Sequence, residues 1–412
     1  MGRIQELDGL RAIAILLVLA AHFVPHDSRL ANVLGLGWCG VDLFFAISGF
    51  LITGILLRLR EQEAPFRTFY WRRTLRIFPP YYLVLTLILL SAFLHAEHVN
   101  HREVVRHALF LSSATPGLLK LALARLALHG TAPLPQGPRQ FEYSLLQFKD
   151  CFGIYWSLSV EELFYLAWAP IVLKGSRRLI LISSVAPLVV CPLLRGLAHT
   201  TPHIDESIGF VFRFDSLTAG GCVALLFWGV GHGFINKRSA ARGLIATIIF
   251  AGTCLLGLIE ICGISRGVDV RTTLNFSLWG FSLLAILCAS VVGVCALWSG
   301  AFGALPSILR SKRAAHLGNV SYMMYLIHLP TYVVIQLVFV KLLGRNSLAT
   351  STGLEALCSI LAIAGTIGLA SLSWIFFEGP IMRMKDSAFP IQSTGRELSE
   401  PTSIDQPDRV CA

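Results

Sequence analysis

The sequence predicts an all-α, polytopic membrane protein with about ten transmembrane helices and both termini cytoplasmic. Three observations carry this expectation. Hydrophobic residues make up 55% of the 412 and charged residues only 14%, where a soluble domain carries about a quarter charged. The apolar residues gather into runs long enough to cross the roughly 30 Å of bilayer hydrocarbon as helix. The basic residues gather in alternate loops between those runs. Period-2 alternation is absent, and helix satisfies the backbone polar groups internally, as a spanning segment requires.

The first run, Leu7–Val24, reads as a retained span. Glu6, Asp8 and Arg11 interrupt it and no small-residue cleavage site follows. The second, Leu36–Leu57, carries Gly40, Ala46, Ser48 and Gly49, small enough for close helix contact. The third is Ile77–Leu94, where Pro79 and Pro80 read as the helix start. Then come Tyr155–Leu173, the short Leu179–Leu194, Phe210–Val230, Gly243–Ile264, Leu274–Trp298, Tyr322–Leu343 and Ala356–Phe377. His95–Ile154 is a long outer segment. Within it Val104–Leu111 and Leu118–Leu128 read as interfacial or re-entrant helices, and Gly130–Pro138 as a turn-rich break. Residues 1–385 form one transmembrane domain. The stretch Asp386–Ala412 is polar and reads as a disordered cytoplasmic tail.

Orientation follows from the loops. One set holds Arg58, Arg60, Arg67, Arg72, Arg73 and Arg76, then Lys174, Arg177 and Arg178, then Lys237, Arg238 and Arg242, then Arg310, Lys312 and Arg313, and finally Arg383 and Lys385. The alternate loops hold only scattered Arg29, Arg195, Arg266, Arg271 and Arg345. The positive-inside rule makes the first side cytoplasmic. The net charge of +10 thus reports topology. No basic-aromatic module points to nucleic acid. Most of the ten cysteines lie in or at the ends of apolar runs and act as small hydrophobes. Cys39 and Cys151 both fall near the outer face, a weakly supported pairing, and no CxxC pair points to a metal.

An ionisable group inside a span costs several kcal/mol, order of magnitude, and so marks a candidate site. Arg11 and His22 are eleven residues apart on one helix. They return to nearly the same face about 16 Å apart along the axis. They are either two contacts for one long ligand, or a snorkelling arginine and an interfacial histidine. Asp42 opens the segment GVDLFFAISGFLIT, which also holds Ser48 and reads equally as a packing face. Arg73 and Arg76, in FYWRRTLRIFPPYY, share a helical face. They suit either cofactor phosphates or lipid headgroups at the cytoplasmic edge. In WSLSVEELFYL, Ser157, Glu161 and Tyr165 recur every four residues beside Trp156 and Glu162. The acids either serve a site, pairing with an arginine or orienting a histidine, or favour a helix N-terminus. Arg213 and Asp215, two apart, face different ways and are expected to pair with other helices. Ser321, Tyr325 and His328, in GNVSYMMYLIHLP, fall on one face, with a structural histidine as the alternative.

Together these segments resemble the acyltransferase 3 family of integral membrane acyltransferases. The matching residues are LDGLRAIAILLVLAAHF, GVDLFFAISGFLIT, RRTLRIFPPYY, WSLSVEELFYL, RFDSLTAGG, GNVSYMMYLIH and FFEGPIMRMK, in the family's order and reaching Lys385. The resemblance implies a ten-helix membrane fold and acyl-CoA-dependent O-acylation, with acetyl-CoA as donor and a carbohydrate or glycolipid as acceptor. Exopolysaccharides, lipid-linked glycans and lipo-oligosaccharides are the acceptor classes implied. It maps an Arg-x10-His motif onto Arg11 and His22 and an Arg-x-x-Arg motif onto Arg73 and Arg76. It implies a stand-alone membrane core, without the hydrolase-like domain appended in many relatives, in a bacterial inner membrane. On this reading Arg73 and Arg76 hold the phosphates of CoA and His22 is the base or nucleophile. Glu161 orients the imidazole and Arg11 positions the donor. No metal is implied; membrane lipids are the remaining partner. The rival class is a transporter or flippase of a glycan intermediate, which intramembrane polar residues also fit.

Overall fold

The structure is a computed structural model that describes residues 4–23, 34–95, 101–110, 148–200, 212–266, 268–299, 303–343 and 352–388. Among the described residues there is no strand. Each of the ten apolar runs corresponds to a long helix. These are α1 (Gln5–Phe23), α2 (Gly40–Leu59), α3 (Pro65–Leu94), α5 (Trp156–Lys174), α6 (Arg177–Thr200), α7 (Phe214–Gly231), α8 (Lys237–Ile261), α9 (Phe281–Leu297), α11 (Lys312–Leu343) and α12 (Thr352–Ser373). Short helices α4 (His101–Ala108), α10 (Ala304–Leu309) and α13 (Gly379–Ala388) complete the set. By length and composition eight of the helical segments can cross a bilayer, and the protein is a multi-pass membrane protein. The two long helices outside that group are α1, with Glu6, Asp8 and Arg11, and α5, with Glu161 and Glu162. Helices that a bilayer alone would not favour need a protein partner for their polar groups.

Two elements extend or differ from the sequence expectation. Pro79 and Pro80 lie inside α3, not at its start. The helix begins at Pro65, in the favoured first-turn position, and continues through both prolines. The lost N–H groups would have served the carbonyls four residues back, at Leu75 and Arg76. Packing holds the helix there: Tyr81 stacks on Phe110 at 4.3 Å and Tyr322 donates to the Ile77 carbonyl at 3.1 Å. The basic helix face and the membrane-facing face are therefore one rod. The short fifth run becomes a 24-residue helix despite Pro187 and Pro192. Cys39 and Cys151 are both free thiols. Of the outer segment, α4 and the turn Phe148–Tyr155 are described; Leu118–Leu128, Gly130–Pro138 and residues 389–412 lie outside the described residues.

Helices α1 and α2 sit at the centre. One apolar cluster joins them to α3, α5, α11 and α12, and a second joins them to α7, α8 and α9. The small residues of α2 allow the close approach expected of them. A Cβ on Gly49 would overlap the Leu217 carbonyl of α7, and one on Gly220 of α7 would overlap the Ala46 carbonyl. The basic loops share one end of the bundle. Arg60 donates to the Gly175 carbonyl at 2.8 Å, Lys174 sits 5.2 Å over the Phe66 ring, and Arg310 pairs with Glu6 at 3.7 Å. At the opposite end Arg271 lies 5.7 Å over the Trp38 ring.

Candidate active site

Five helices enclose a cleft that brings polar side chains together against an apolar wall. Helix α1 contributes Arg11, α3 contributes Arg73 and Arg76, and α5 contributes Ser157, Glu161 and Tyr165. Helix α2 supplies Ser48 and the apolar wall of Phe44, Phe45 and Leu51, and α11 supplies Ser321, Tyr322 and Tyr325. Three guanidiniums thus face one carboxyl group in a largely apolar chamber. The four-residue spacing of Ser157, Glu161 and Tyr165 is what aims all three inward.

The polar groups fall into two sets. Arg11 contacts Asp8 at 3.4 Å. Tyr165 donates to Glu161 at 3.0 Å and shares a 2.5 Å hydrogen bond with Ser48. Arg73 lies 5.0 Å over the Tyr165 ring. Neither Arg73 nor Arg76 makes a hydrogen bond or ion pair among the described residues. Two guanidiniums with no ion-paired carboxylate among the described residues can bind an anion. Arg76 also lines a second hollow with Arg72, Arg73, Ile55 and Phe69.

At the other end of the cleft, Tyr325 donates to the Ile154 carbonyl at 2.7 Å and bonds Ser157 at 2.7 Å. Behind it His328 lies 5.8 Å away, ring to ring, and His22 lies 5.0 Å beyond His328. His22 therefore does not line the cleft; it stands one ring outside it, half-buried at the end of α1. Its Nδ1 contacts the Val18 carbonyl at 2.8 Å. A carbonyl only accepts, so Nδ1 carries the proton and Nε2 is the basic nitrogen. Glu161 does not reach His22 among the described contacts: its partner is Tyr165. The outer turn near His22 carries Arg271 and Asp269, whose side chains pair at 2.6 Å. Burial raises the Asp269 carboxyl, but the hydrogen bonds and charge of Arg271 outweigh it and hold the group below its usual range.

Several residues singled out in the sequence lie elsewhere. Asp42 pairs with Arg213 and accepts from Ser216 at 2.9 Å. Asp215 pairs with Arg195 at 2.8 Å and accepts from Ser282 at 2.7 Å. The structure gathers these into a buried network joining α2, α6, α7 and α9, apart from the cleft. Arg195, grouped with the outer-loop basic residues by sequence, is one of its members, with its side chain 1% exposed. Trp156 packs edge-on against Phe45 of the cleft wall. Glu162 is half-buried on α5 and does not line the cleft. Tyr322 was missed, although it follows Ser321 directly; aromatic residues in a span give no polarity signal of their own.

A family model described as an acyltransferase domain matches residues 4–376. Among curated proteins the chain is 25% identical over 401 residues to the peptidoglycan O-acetyltransferase OatA of Listeria monocytogenes, covering 92% of this chain and 56% of that one. It is 24% identical over 404 residues to the O-acetyltransferase OatA of Staphylococcus aureus, covering 93% and 58%. The chain spans little more than half the length of these relatives. No solved structure matches it. The family match runs through all five helices of the cleft, from Arg11 to Tyr325, and the chain belongs to the acyltransferase 3 family.

Proposed function

We propose that the protein is a membrane-embedded O-acetyltransferase that moves acetyl from acetyl-CoA to a hydroxyl of a glycan. The observation that carries this reading is the cleft itself: two unpaired guanidiniums at one end and, past Tyr325, a histidine pair at the other. The activity named for the Listeria relative supports acetyl as the group and peptidoglycan or a similar glycan as the acceptor. The basic loops make the arginine end cytoplasmic, where CoA is made, in the bacterial inner membrane.

Arg73 and Arg76 bind the donor phosphates, with Arg11 and the Tyr165–Glu161–Ser48 group along the wall beside the arm. The thioester end travels toward the layer of Tyr325, His328 and His22. The acceptor hydroxyl approaches from the outer end, where His22 keeps part of its exposure. His22 Nε2 takes the hydroxyl proton as the oxygen bonds to the thioester carbon. The carbon–sulfur bond then breaks, and His22 returns the proton to the departing CoA sulfur.

The test is release of CoA thiol by the purified full chain given acetyl-CoA and soluble peptidoglycan fragments, with acetyl transfer read by mass spectrometry. His22→Ala is expected to abolish transfer while leaving membrane insertion intact. Near-normal turnover by that variant would overturn the base assignment. A parent protein that moves glycan across vesicles without releasing thiol would favour a flippase.

A further inference from the structure

His328 is fully buried, at 0% exposure, on α11. Its Nδ1 sits 2.8 Å from the Tyr325 carbonyl. The carbonyl accepts, so Nδ1 bears hydrogen and Nε2 bears a lone pair. That Nε2 has no hydrogen-bond partner. Buried polar atoms are nearly always paired, and an exception calls for a reason. A leucine or phenylalanine would fill the same space without the penalty of an unpaired nitrogen. Here the ring meets His22 in a T-shaped contact at 5.0 Å and 67°. Phe23 holds its other side at 5.9 Å.

We propose that His328 is a positioning residue for His22: a neutral ring, fixed in one tautomer, that stabilises the imidazolium His22 becomes during transfer. This rests on the reading of His22 as base. In the resting state the Nε2 lone pair is idle. Once His22 has taken the hydroxyl proton, a full positive charge stands against an electron-rich neutral ring with an acceptor to spare. The contact then favours the charged form, and it is strongest only while that form exists, which is how a preorganised dipole speeds a reaction. No bond to carbon is made or broken at His328, and no proton leaves it.

The groups around the pair do not replace this role. Arg271 of the outer turn is paired with Asp269 at 2.6 Å. Tyr325 directs its hydroxyl to Ile154 and Ser157. Tyr332 stacks on Phe23 at 5.3 Å, with Cys358 of α12 beside it. Among the described residues, no carboxylate is hydrogen-bonded to His328 or ion-paired with it.

The experiment compares His328→Phe, which keeps the ring packing, with His328→Asn, which keeps an acceptor. Purified full-length variants are assayed with acetyl-CoA and peptidoglycan fragments across pH 5 to 9. For His328→Phe, kcat is expected to fall about tenfold or more while KM for acetyl-CoA stays within about twofold. Losing the stabilising contact also makes His22 a weaker base, so the acidic limb of the pH profile moves to lower pH. His328→Asn should recover part of both. A His328→Phe protein with parental kcat and pH profile overturns the proposal. If it fails to fold, a His328→Leu variant, which also lacks an acceptor, with parental kcat and an unshifted profile does the same. His22→Ala run alongside separates the claims: its activity would sink the base assignment itself, whereas its inactivity beside an unaffected His328→Phe sinks only this inference.

Discussion

Arg73 and Arg76 give the sharpest test of the cleft, because their side chains have little to lose inside the protein. Neither guanidinium is hydrogen-bonded or ion-paired among the described residues. Truncating Arg76 removes only its longer-range attraction to the buried Glu378 carboxyl and should cost little stability. Truncating Arg73 removes its contact with the Tyr165 ring at 5.0 Å, worth about 0.5–2 kcal/mol. Binding is another matter. A hydrogen bond from a charged donor contributes about 1.5–3 kcal/mol, which is roughly 10- to 150-fold in affinity. Each single Ala variant should weaken CoA binding by a factor in that range. Arg→Lys variants should recover part of it, since charge is kept but the planar fork is lost. The assay is calorimetric titration of CoA into protein held in nanodiscs, repeated at two salt concentrations, because a phosphate contact weakens as salt screens it. Unchanged affinity in both single variants and in the double would refute the phosphate site and leave these residues as anchors to lipid headgroups.

Other variants should separate folding from function. Asp42→Ala strands the buried Arg213 charge, and removing one partner of such a pair costs about 3–5 kcal/mol. Thermal unfolding in detergent should fall sharply, and Asp42→Ala with Arg213→Leu should recover much of the loss; an unaltered single variant would show the network to be dispensable. Gly49→Ala forces α2 off the Leu217 carbonyl. It should lower the yield of folded protein, whereas Gly243→Ala, where an added Cβ meets nothing within 4 Å, should be silent. Equal behaviour of the two glycine variants would remove the close α2–α7 contact from the account.

Much of the fold was legible because spanning helices announce themselves by length and apolarity, and each run does become a helix. The inward face of α5 was legible too, since a repeat of four residues needs no tertiary knowledge. What the sequence hid were pairings. Arg195 ends an apolar run and reads as a loop cation, yet its partners Asp215 and Ser282 come from other helices. Asp42 looks like a lone acid in a span until Arg213 is set against it. The Pro79–Pro80 pair obeys a local rule for helix starts, but packing against Phe110 and the bond from Tyr322 override it. His22 and His328 come from opposite ends of the chain, and spacing alone could not join them.

The same pairings decide which arginines can bind a ligand. Arg11, Arg73, Arg76, Arg195 and Arg213 differ in this respect. A guanidinium already neutralised in the interior cannot accept a phosphate without abandoning its carboxylate, which would leave that carboxylate buried and unpaired. Arg195 and Arg213 are committed in this way, to Asp215 and Asp42. Arg11 is partly committed, through a longer contact with Asp8 at 3.4 Å. Arg73 and Arg76 have no ion pair among the described residues, only the Tyr165 ring beside Arg73 and a longer-range attraction between Arg76 and Glu378. An anion entering the cleft meets increasing competition as it moves from α3 toward α1, so its charge should stop at Arg73 and Arg76 while a less charged arm continues. On the proposed reading the chemistry lies at the far end, where His22 and His328 meet ring to ring at 5.0 Å. The donor proposed above, with its charge at one end and its reactive carbonyl at the other, fits that gradient.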